Sequence, residues 1–298
     1  MAITASPLRY PGGKSALTSF LAAVLERNSL LGETYVEPFA GGAGAGLNLL
    51  LGGYVSNLII NDSDSAIYAF WWSVLNRTDD FLQKVNDVSV TLEEWKIQKN
   101  VFLNREDHSI EELGFAAFFL NRCNRSGILR ANPIGGIKQT GKWLIDARFN
   151  REGLSRRIAA VAKRRSDIVV KCKDAIDFLR EDISAVSGSS FVYLDPPYYN
   201  YGQELYLNAY RHDDHARLAR FMCSETGLSW VMTYDDHDSI RDMYAPCRIT
   251  EFSLNYFAHN KRKGRELLIS PPHLVLPDEK IMPRYGTVKP RASVSCAL

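Results

Sequence analysis

Cysteine is scarce in this 298-residue chain: five residues, at 123, 172, 223, 247 and 296. They are odd in number and form no CxxC pair, so neither a zinc site nor a disulfide framework is expected, and a reducing cytoplasm suits them. No run of 18 apolar residues occurs, which leaves no candidate transmembrane helix. The N-terminus, Met1 to Pro7, has no basic segment leading into an apolar stretch, so no signal peptide is expected. Two nucleotide-binding signatures are also missing. A dinucleotide fingerprint needs GxGxxG, but Gly42-Ala-Gly44 is followed at the third position by Leu47. A P-loop needs GxxxxGK[ST]; Gly13-Lys14-Ser15 supplies its end, but Leu8 stands where the first glycine belongs and no strand precedes it. No nucleophilic Cys-His arrangement is evident.

Net charge is also low, at +2, but it is unevenly spread. Leu120 to Lys173 holds 14 Lys/Arg against 3 Asp/Glu, while the rest of the chain is acidic. One basic segment in an acidic protein points to a polyanion-binding face; a solvated helix surface is the plainer alternative.

The hydrophobic content of 46% suits a soluble globular protein of one large domain or two smaller ones. Apolar spacing predicts a helix over 15–27, a strand at Thr34–Val36, a glycine loop and a helix over 45–51. A second strand at Val55–Ile60 and a helix over 66–75 follow. This βαβα pattern favours a parallel sheet covered by helices. From 76 to 162 the strand signal fades. Amphipathic stretches at 79–104 and 110–120 flank a Gly/Pro/Asn-rich basic segment at 121–150. Alternation then resumes, with strands at 167–172, 191–194, 229–233, 249–254 and 266–269 and helices at 175–181, 213–224 and near 237–244. The reading is one α/β catalytic domain, 1–75 with 163–298, carrying a mostly helical insertion at 76–162. The tail from Pro271 holds five of the 12 prolines, and its end is expected to be mobile.

Two segments carry chemistry. The glycine loop of residues 37–44 joins a strand to a helix, where a backbone without side chains can approach a ligand and a helix N-terminus offers unpaired N–H groups. Asp62 closes the next strand, a suitable place for a carboxylate that accepts from ribose hydroxyls. With the dinucleotide and P-loop signatures missing, an adenosine-like ligand without a pyrophosphate remains attractive. The second segment is Phe191-Val-Tyr-Leu-Asp195-Pro196-Pro197-Tyr198. An apolar strand delivers a carboxylate at its C-terminal end, two prolines stiffen the backbone, and an aromatic ring follows. A carboxylate, a rigid carbonyl and a ring suit a planar base bearing an amino group. Asp-Pro-Pro without that context would be only a strand-ending turn.

In order along the chain stand Tyr10-Pro-Gly-Gly-Lys14, Val36-Glu-Pro-Phe-Ala-Gly-Gly-Ala-Gly44, Asn61-Asp62, Asn121-Arg122…Ser126-Gly127, Asp195-Pro-Pro-Tyr198, Thr233-Tyr-Asp235 and Lys263-Gly-Arg-Glu-Leu-Leu268. Over residues 7–270 the chain resembles the Dam-type (D12 class) N6-adenine DNA methyltransferases, and its phage-type members more than the enterobacterial GATC enzymes. The resemblance implies a Rossmann-like, S-adenosylmethionine-dependent methyltransferase sheet with an inserted, mostly helical target-recognition domain. It also implies site-specific methyl transfer from S-adenosylmethionine to N6 of a flipped-out adenine in DNA, without a metal. Tyr10 and Lys14 would help bind the cofactor; many relatives have Trp in place of Tyr10, which keeps the aromatic face. Glu37, Phe39, Gly42 and Gly44 would line the cofactor's methionine and ribose region, and Asp62 would hold its ribose hydroxyls. Asp174 would contact its adenine amino group, and Asp195 would serve both cofactor and target amine. Asp195 and the Pro196 carbonyl would accept the two N–H protons of the amine, with Tyr198 stacked on the flipped base.

For DNA, Arg122, Arg125 and Arg130 are candidates for base or phosphate contacts, with Asn121 and Asn124 as amide partners and Lys138, Lys142, Arg148 and Arg151 on phosphates. Asn121 and Arg122 have an alternative role as supports of the fold. Rival readings are methylation of cytosine N4, RNA adenine or a protein glutamine, and a catalytically silent DNA-binding scaffold. The expected partners are double-stranded DNA and, in a restriction-modification setting, a cognate restriction enzyme. The protein is expected to act as a monomer or weak dimer in the cytoplasm of a bacterial or phage-infected cell, with no membrane partner.

Overall fold

The computed structural model describes residues 5–10, 14–183, 189–199, 210–225, 227–255 and 263–277. Pro11-Gly-Gly13 of the N-terminal motif and the tail beyond 277 lie outside them. A short 3₁₀ turn, Lys14–Leu17, leads into α1 (Thr18–Arg27), β1 (Thr34–Glu37), α2 (Gly44–Leu51), β2 (Asn57–Asn61) and α3 (Ser65–Asn76). Four helices come next: α4 (Thr78–Asp87), α5 (Leu92–Leu103), α6 (Ile110–Cys123) and α7 (Arg151–Ala162). Then come β3 (Ile168–Lys171), α8 (Ala175–Phe178), β4 (Ser190–Leu194), α9 (His212–Ser224), β5 (Ser229–Asp235), α10 (Asp238–Met243), β6 (Arg248–Asn255) and β7 (Lys263–Ser270).

The strands form one sheet in the order β3-β2-β1-β4-β5-β7-β6. The first five are parallel, while β7 runs antiparallel to both β5 and β6. The strand pleat divides the apolar residues between two faces. Tyr35, Phe191, Tyr193 and Val231 enter one core with α1, α2 and α3. Val36, Val192, Leu194, Trp230 and Met232 enter the other with α8, α9 and α10. Chain order reverses between β1, which is followed by β2 on one side, and β4 on the other. The loops leaving β1 and β4 therefore border the same crevice, where parallel sheets bind ligands.

The amphipathic stretch expected as one run over 79–104 is two helices. The β-branched segment Val88–Thr91 interrupts it, and the Thr91 side chain caps α5 by accepting from the Glu94 amide. Ser109 and Glu112 form a reciprocal capping box that starts α6. Phe81 of α4 and Phe115, Phe118 and Phe119 of α6 belong to the same apolar cluster as α1–α3. Gly114 sets the closeness of α6 to α3, since a Cβ there would lie 2.4 Å from the Ala69 carbonyl oxygen and 2.6 Å from Ser73 Oγ. Gly114→Ala is expected to cost about 1–3 kcal/mol, read as a lower denaturant midpoint at unchanged slope. An unchanged midpoint would show that the two helices can separate freely.

Candidate active site

The glycine loop is held from three sides. Its backbone turns left-handed at Gly41 (φ 45°) and again at Ala43 (φ 45°), a conformation costly for a residue with a Cβ. The Tyr10 ring lies on Gly41, where a Cβ would come within 2.7 Å of it. Trp71 Nε1 donates to the Gly41 carbonyl at 2.9 Å. The Gly41 amide donates to Asp62 Oδ2 at 2.9 Å, and the Asp64 amide donates to Asp62 Oδ1 at 2.9 Å. Asn61 ties the strand ends together by donating to the Pro38 and Lys173 carbonyls and accepting from the Lys173 amide. Behind the loop, buried Glu37 accepts from the Gly46 amide at 2.8 Å. Burial pushes the Glu37 carboxyl up to about 8 and the half-buried Asp62 carboxyl up to about 7.

At the end of β4, Asp195 Oδ1 accepts from Thr233 Oγ1 at 2.8 Å and pairs with Lys14 Nζ at 3.0 Å. Lys14 is buried; its ammonium also donates to Tyr198 Oη at 2.7 Å. Tyr198 Oη donates in turn to Glu266 Oε1 at 2.8 Å. The following residue is fixed too, because the Tyr199 amide donates to Asp235 Oδ1 at 2.8 Å. No described residue donates to the Pro196 carbonyl. The side chain of Asp195 keeps 26% of its surface exposed. One carboxylate oxygen is therefore oriented by two donors, and the group still opens to the crevice.

Tyr10, Lys14, Glu37, Gly42, Gly44, Asp62, Asp195, Pro196 and Tyr198 thus converge on one end of the sheet. Phe39 stands half-buried beside them, edge-on to Tyr210 at 5.7 Å. Asp174 lies farther out, past the end of β3. Its Oδ1 caps α8 through the Ile176 amide and pairs with Arg217 at 2.8 Å.

The match to known proteins is decisive. Residues 10–256 match the family described as D12 class N6 adenine-specific DNA methyltransferase. The chain belongs to this family. Two curated relatives are Type II methyltransferases. M.MjaIII of Methanocaldococcus jannaschii is 28% identical over 72% of this chain and 78% of its own length. M.CviBI of Paramecium bursaria Chlorella virus NC1A is 25% identical over 82% and 88%. Among solved structures, the rRNA methyltransferase aviRa of Streptomyces viridochromogenes covers 84% of this chain and 83% of its own, at 15% identity and a TM-score of 0.33, too distant to carry an argument. The sheet with its helices is that of a methyltransferase, and the protein is an adenine DNA methyltransferase. Among its described residues no group of three or more His, Cys, Asp or Glu is arranged to hold a metal ion. No described helix is long and apolar enough to cross a membrane.

For this adenine DNA methyltransferase the structure corrects three of the DNA contacts expected from sequence. Asn121 is buried. It accepts from the Arg9 amide at 2.7 Å and donates to the Arg9 and Gly127 carbonyls at 2.7 and 2.9 Å. Arg122 is buried as well and donates to the Arg148 and Pro7 carbonyls; burial, then Arg9 and Arg157, push its guanidinium down to about 9. Asn124 is buried, accepting from Trp95 Nε1 at 2.7 Å and donating to the Ile128 and Leu129 carbonyls. All three spend their polar groups inside the protein. Asn121 and Arg122 bind the base of the 125–149 segment to Arg9 and Pro7, and Asn124 binds it to Trp95 of α5. Arg125, Arg130, Lys138, Lys142 and Arg148 are exposed, whereas Arg151 is turned inward onto the Val85 and Val88 carbonyls.

Sequence reasoning assigned no role to Thr233 or Glu266, although both lie within motifs that it quoted. It also passed over Ile137, Trp143 and Leu144, apolar side chains exposed among the lysines, with Lys142 Nζ 5.9 Å from the Trp143 ring centroid. Their signal was weak, because apolar residues inside a Gly-rich stretch show no periodicity.

Proposed function

We propose that the enzyme is a site-specific, adenine-specific DNA methyltransferase that uses S-adenosylmethionine to methylate N6 of an adenine displaced from the duplex. The observation that supports this most is Asp195. Lys14 and Thr233 orient it at the end of β4, beside the glycine loop and followed by a stiff Pro-Pro-Tyr. The crevice residues fit the cofactor. Glu37 is a buried carboxylate suited to a cationic ligand, and each Asp62 oxygen takes a single backbone donor and has a lone pair left for a hydroxyl. Tyr10, Phe39, Gly42 and Gly44 would complete its wall. The cofactor supplies a methyl group activated on a sulfonium.

The protein's part is orientation and electrostatics. The adenine amine is a poor nucleophile because its lone pair is delocalised into the ring. Acceptance of its two N–H protons by Asp195 and the Pro196 carbonyl favours a tetrahedral nitrogen with the lone pair free for in-line transfer. Tyr198 offers a ring to the displaced base. We assign residues 76–162 to target recognition, with Arg125, Arg130, Lys138 and Lys142 meeting double-stranded DNA and Trp143 standing among them. A monomer or weak dimer acting in the cytoplasm, with or without a cognate restriction enzyme, fits this role.

Labelled S-adenosylmethionine and a mixture of unmodified genomic DNA and RNA provide the test. Label is expected in N6-methyldeoxyadenosine alone; label in N4-methylcytosine or in RNA would overturn the reading.

Cofactor affinity is expected to depend on pH. The folded pKa of Glu37, about 8, lies above its ordinary value, so the unliganded protein holds a proton there that the unfolded chain releases. That contribution to stability is present at low pH and is lost as pH rises toward 8. A cationic ligand favours the ionised form, so binding expels the proton. Titration calorimetry should find affinity rising up to about tenfold per pH unit between 6 and 8, with net proton release. Glu37→Gln should flatten the dependence, and an equally steep one in that variant would exclude Glu37 as its source.

A further inference from the structure

Glu266 is almost fully buried on β7, and its Oε2 has no hydrogen-bond partner. A buried carboxylate oxygen without a donor is costly as an anion and is relieved by a proton. Its other oxygen ends a continuous chain. Lys14 Nζ lies 3.0 Å from Asp195 Oδ1 and donates to Tyr198 Oη at 2.7 Å, and Tyr198 Oη donates to Glu266 Oε1 at 2.8 Å. Both donors after Asp195 point toward Glu266. The groups facing Glu266 are Lys14 from the N-terminal segment, Tyr193, Asp195 and Tyr198 from β4 and its exit, and Asp235, its register partner on β5. On β6 its register partner is Phe252, which carries no charge.

Resting on the function proposed above, we infer that Glu266 is the terminal acceptor of the proton released from the methylated amine, reached through Asp195, Lys14 and Tyr198. Methyl transfer leaves N6 cationic with two hydrogens, one of which must leave. The Pro196 carbonyl can hold a hydrogen bond but cannot take a proton. Asp195 takes it: the N6–H bond breaks, its electron pair returns to nitrogen, and an O–H bond forms. A proton then passes from Lys14 to Tyr198 as Tyr198 gives its own to Glu266, and the neutral Lys14 amine recovers one from Asp195. The sum moves one proton from Asp195 to Glu266, with no change at Lys14 or Tyr198. Two donors converge on one Asp195 oxygen, whereas Glu266 Oε1 has one donor and Oε2 none, so a proton on Glu266 satisfies a buried oxygen that nothing else does. After product leaves, it returns along the same chain and exits through Asp195, the exposed end. Glu266 is in this sense a positioning residue for the proton, not a contact of the substrate. Burial and the neighbouring Asp195 push its carboxyl up to about 7, so it titrates within the range a rate profile can scan.

The test is single-turnover methylation of duplex DNA across about pH 5.5–9 by the enzyme and by its Glu266→Gln and Tyr198→Phe variants. The wild-type rate should rise through an ionisation near neutrality and show a solvent deuterium effect. Each variant should lose that ionisation and fall about 10²-fold, the double variant being no slower than either alone, with cofactor and DNA affinities unchanged. An ionisation retained in Glu266→Gln, or losses that multiply in the double variant, would overturn the relay. If Glu266→Gln does not fold, Tyr198→Phe decides alone, since it breaks the chain and keeps the ring. Failure of the wild type to methylate adenine would instead refute the function on which the relay rests.

Discussion

Asp195→Asn should remain folded, bind the cofactor, and transfer methyl groups at least about 10³-fold more slowly than wild type. The geometry explains why so conservative a change is severe. Lys14 and Thr233 both donate to Oδ1. In the variant the amide oxygen is drawn to that position, because only it can accept. The amide NH₂ then occupies the place where the target amine must donate, and two donors face each other. Single-turnover kinetics and a thermal melt would separate the effects. A rate within tenfold of wild type would remove Asp195 from the chemistry, whereas a collapsed melt would move the residue into the fold.

Replacing Arg125, Arg130, Lys138 and Lys142 together by alanine should weaken DNA binding by about 10²–10³-fold at moderate salt and leave cofactor affinity intact. All four side chains are exposed on the segment anchored to Pro7, Arg9 and Trp95. If each neutralises one phosphate, the slope of log affinity against log salt should become shallower by about 3.6. A slope unchanged from wild type would place the DNA on another face. Asn121→Ala, Arg122→Ala and Asn124→Ala should act differently. Their partners are buried backbone carbonyls and the Trp95 indole, so each is expected to cost about 1–3 kcal/mol of stability and to leave the salt slope alone.

This contrast marks where the sequence was legible. Strands buried on both faces read as short apolar runs, so β1, β2, β4 and β5 could be placed, and with them the loops at their ends. Asp62 and Asp195 were visible because each closes such a run. Strand direction was not visible: β6 and β7 carry patterns compatible with either sense, and β7 enters antiparallel between β5 and β6. Helix α7 was hidden as well. Its buried Leu154, Ile158 and Val161 keep helical spacing, but three arginines and a glycine between 151 and 157 mask it. The amide-and-arginine cluster at 121–125 looked like a reader of bases because burial does not show in residue type. Asn121 and Asn124 stand on α6 and at its end, where their side chains meet carbonyls that no helix bond satisfies. The Lys14–Tyr198–Glu266 chain joins residues 184 and 68 positions apart, and no local pattern could have announced it.

The most direct test of the account is single-molecule sequencing of DNA from a host without adenine methylation, expressing either the wild-type enzyme or Asp195→Ala. The wild type should deposit N6-methyladenine in one defined sequence context, and Asp195→Ala should leave that context unmodified. Methylation on cytosine N4, or N6-methyladenine persisting at wild-type levels in the variant, would contradict the assignment of Asp195 as the group that holds the target amine.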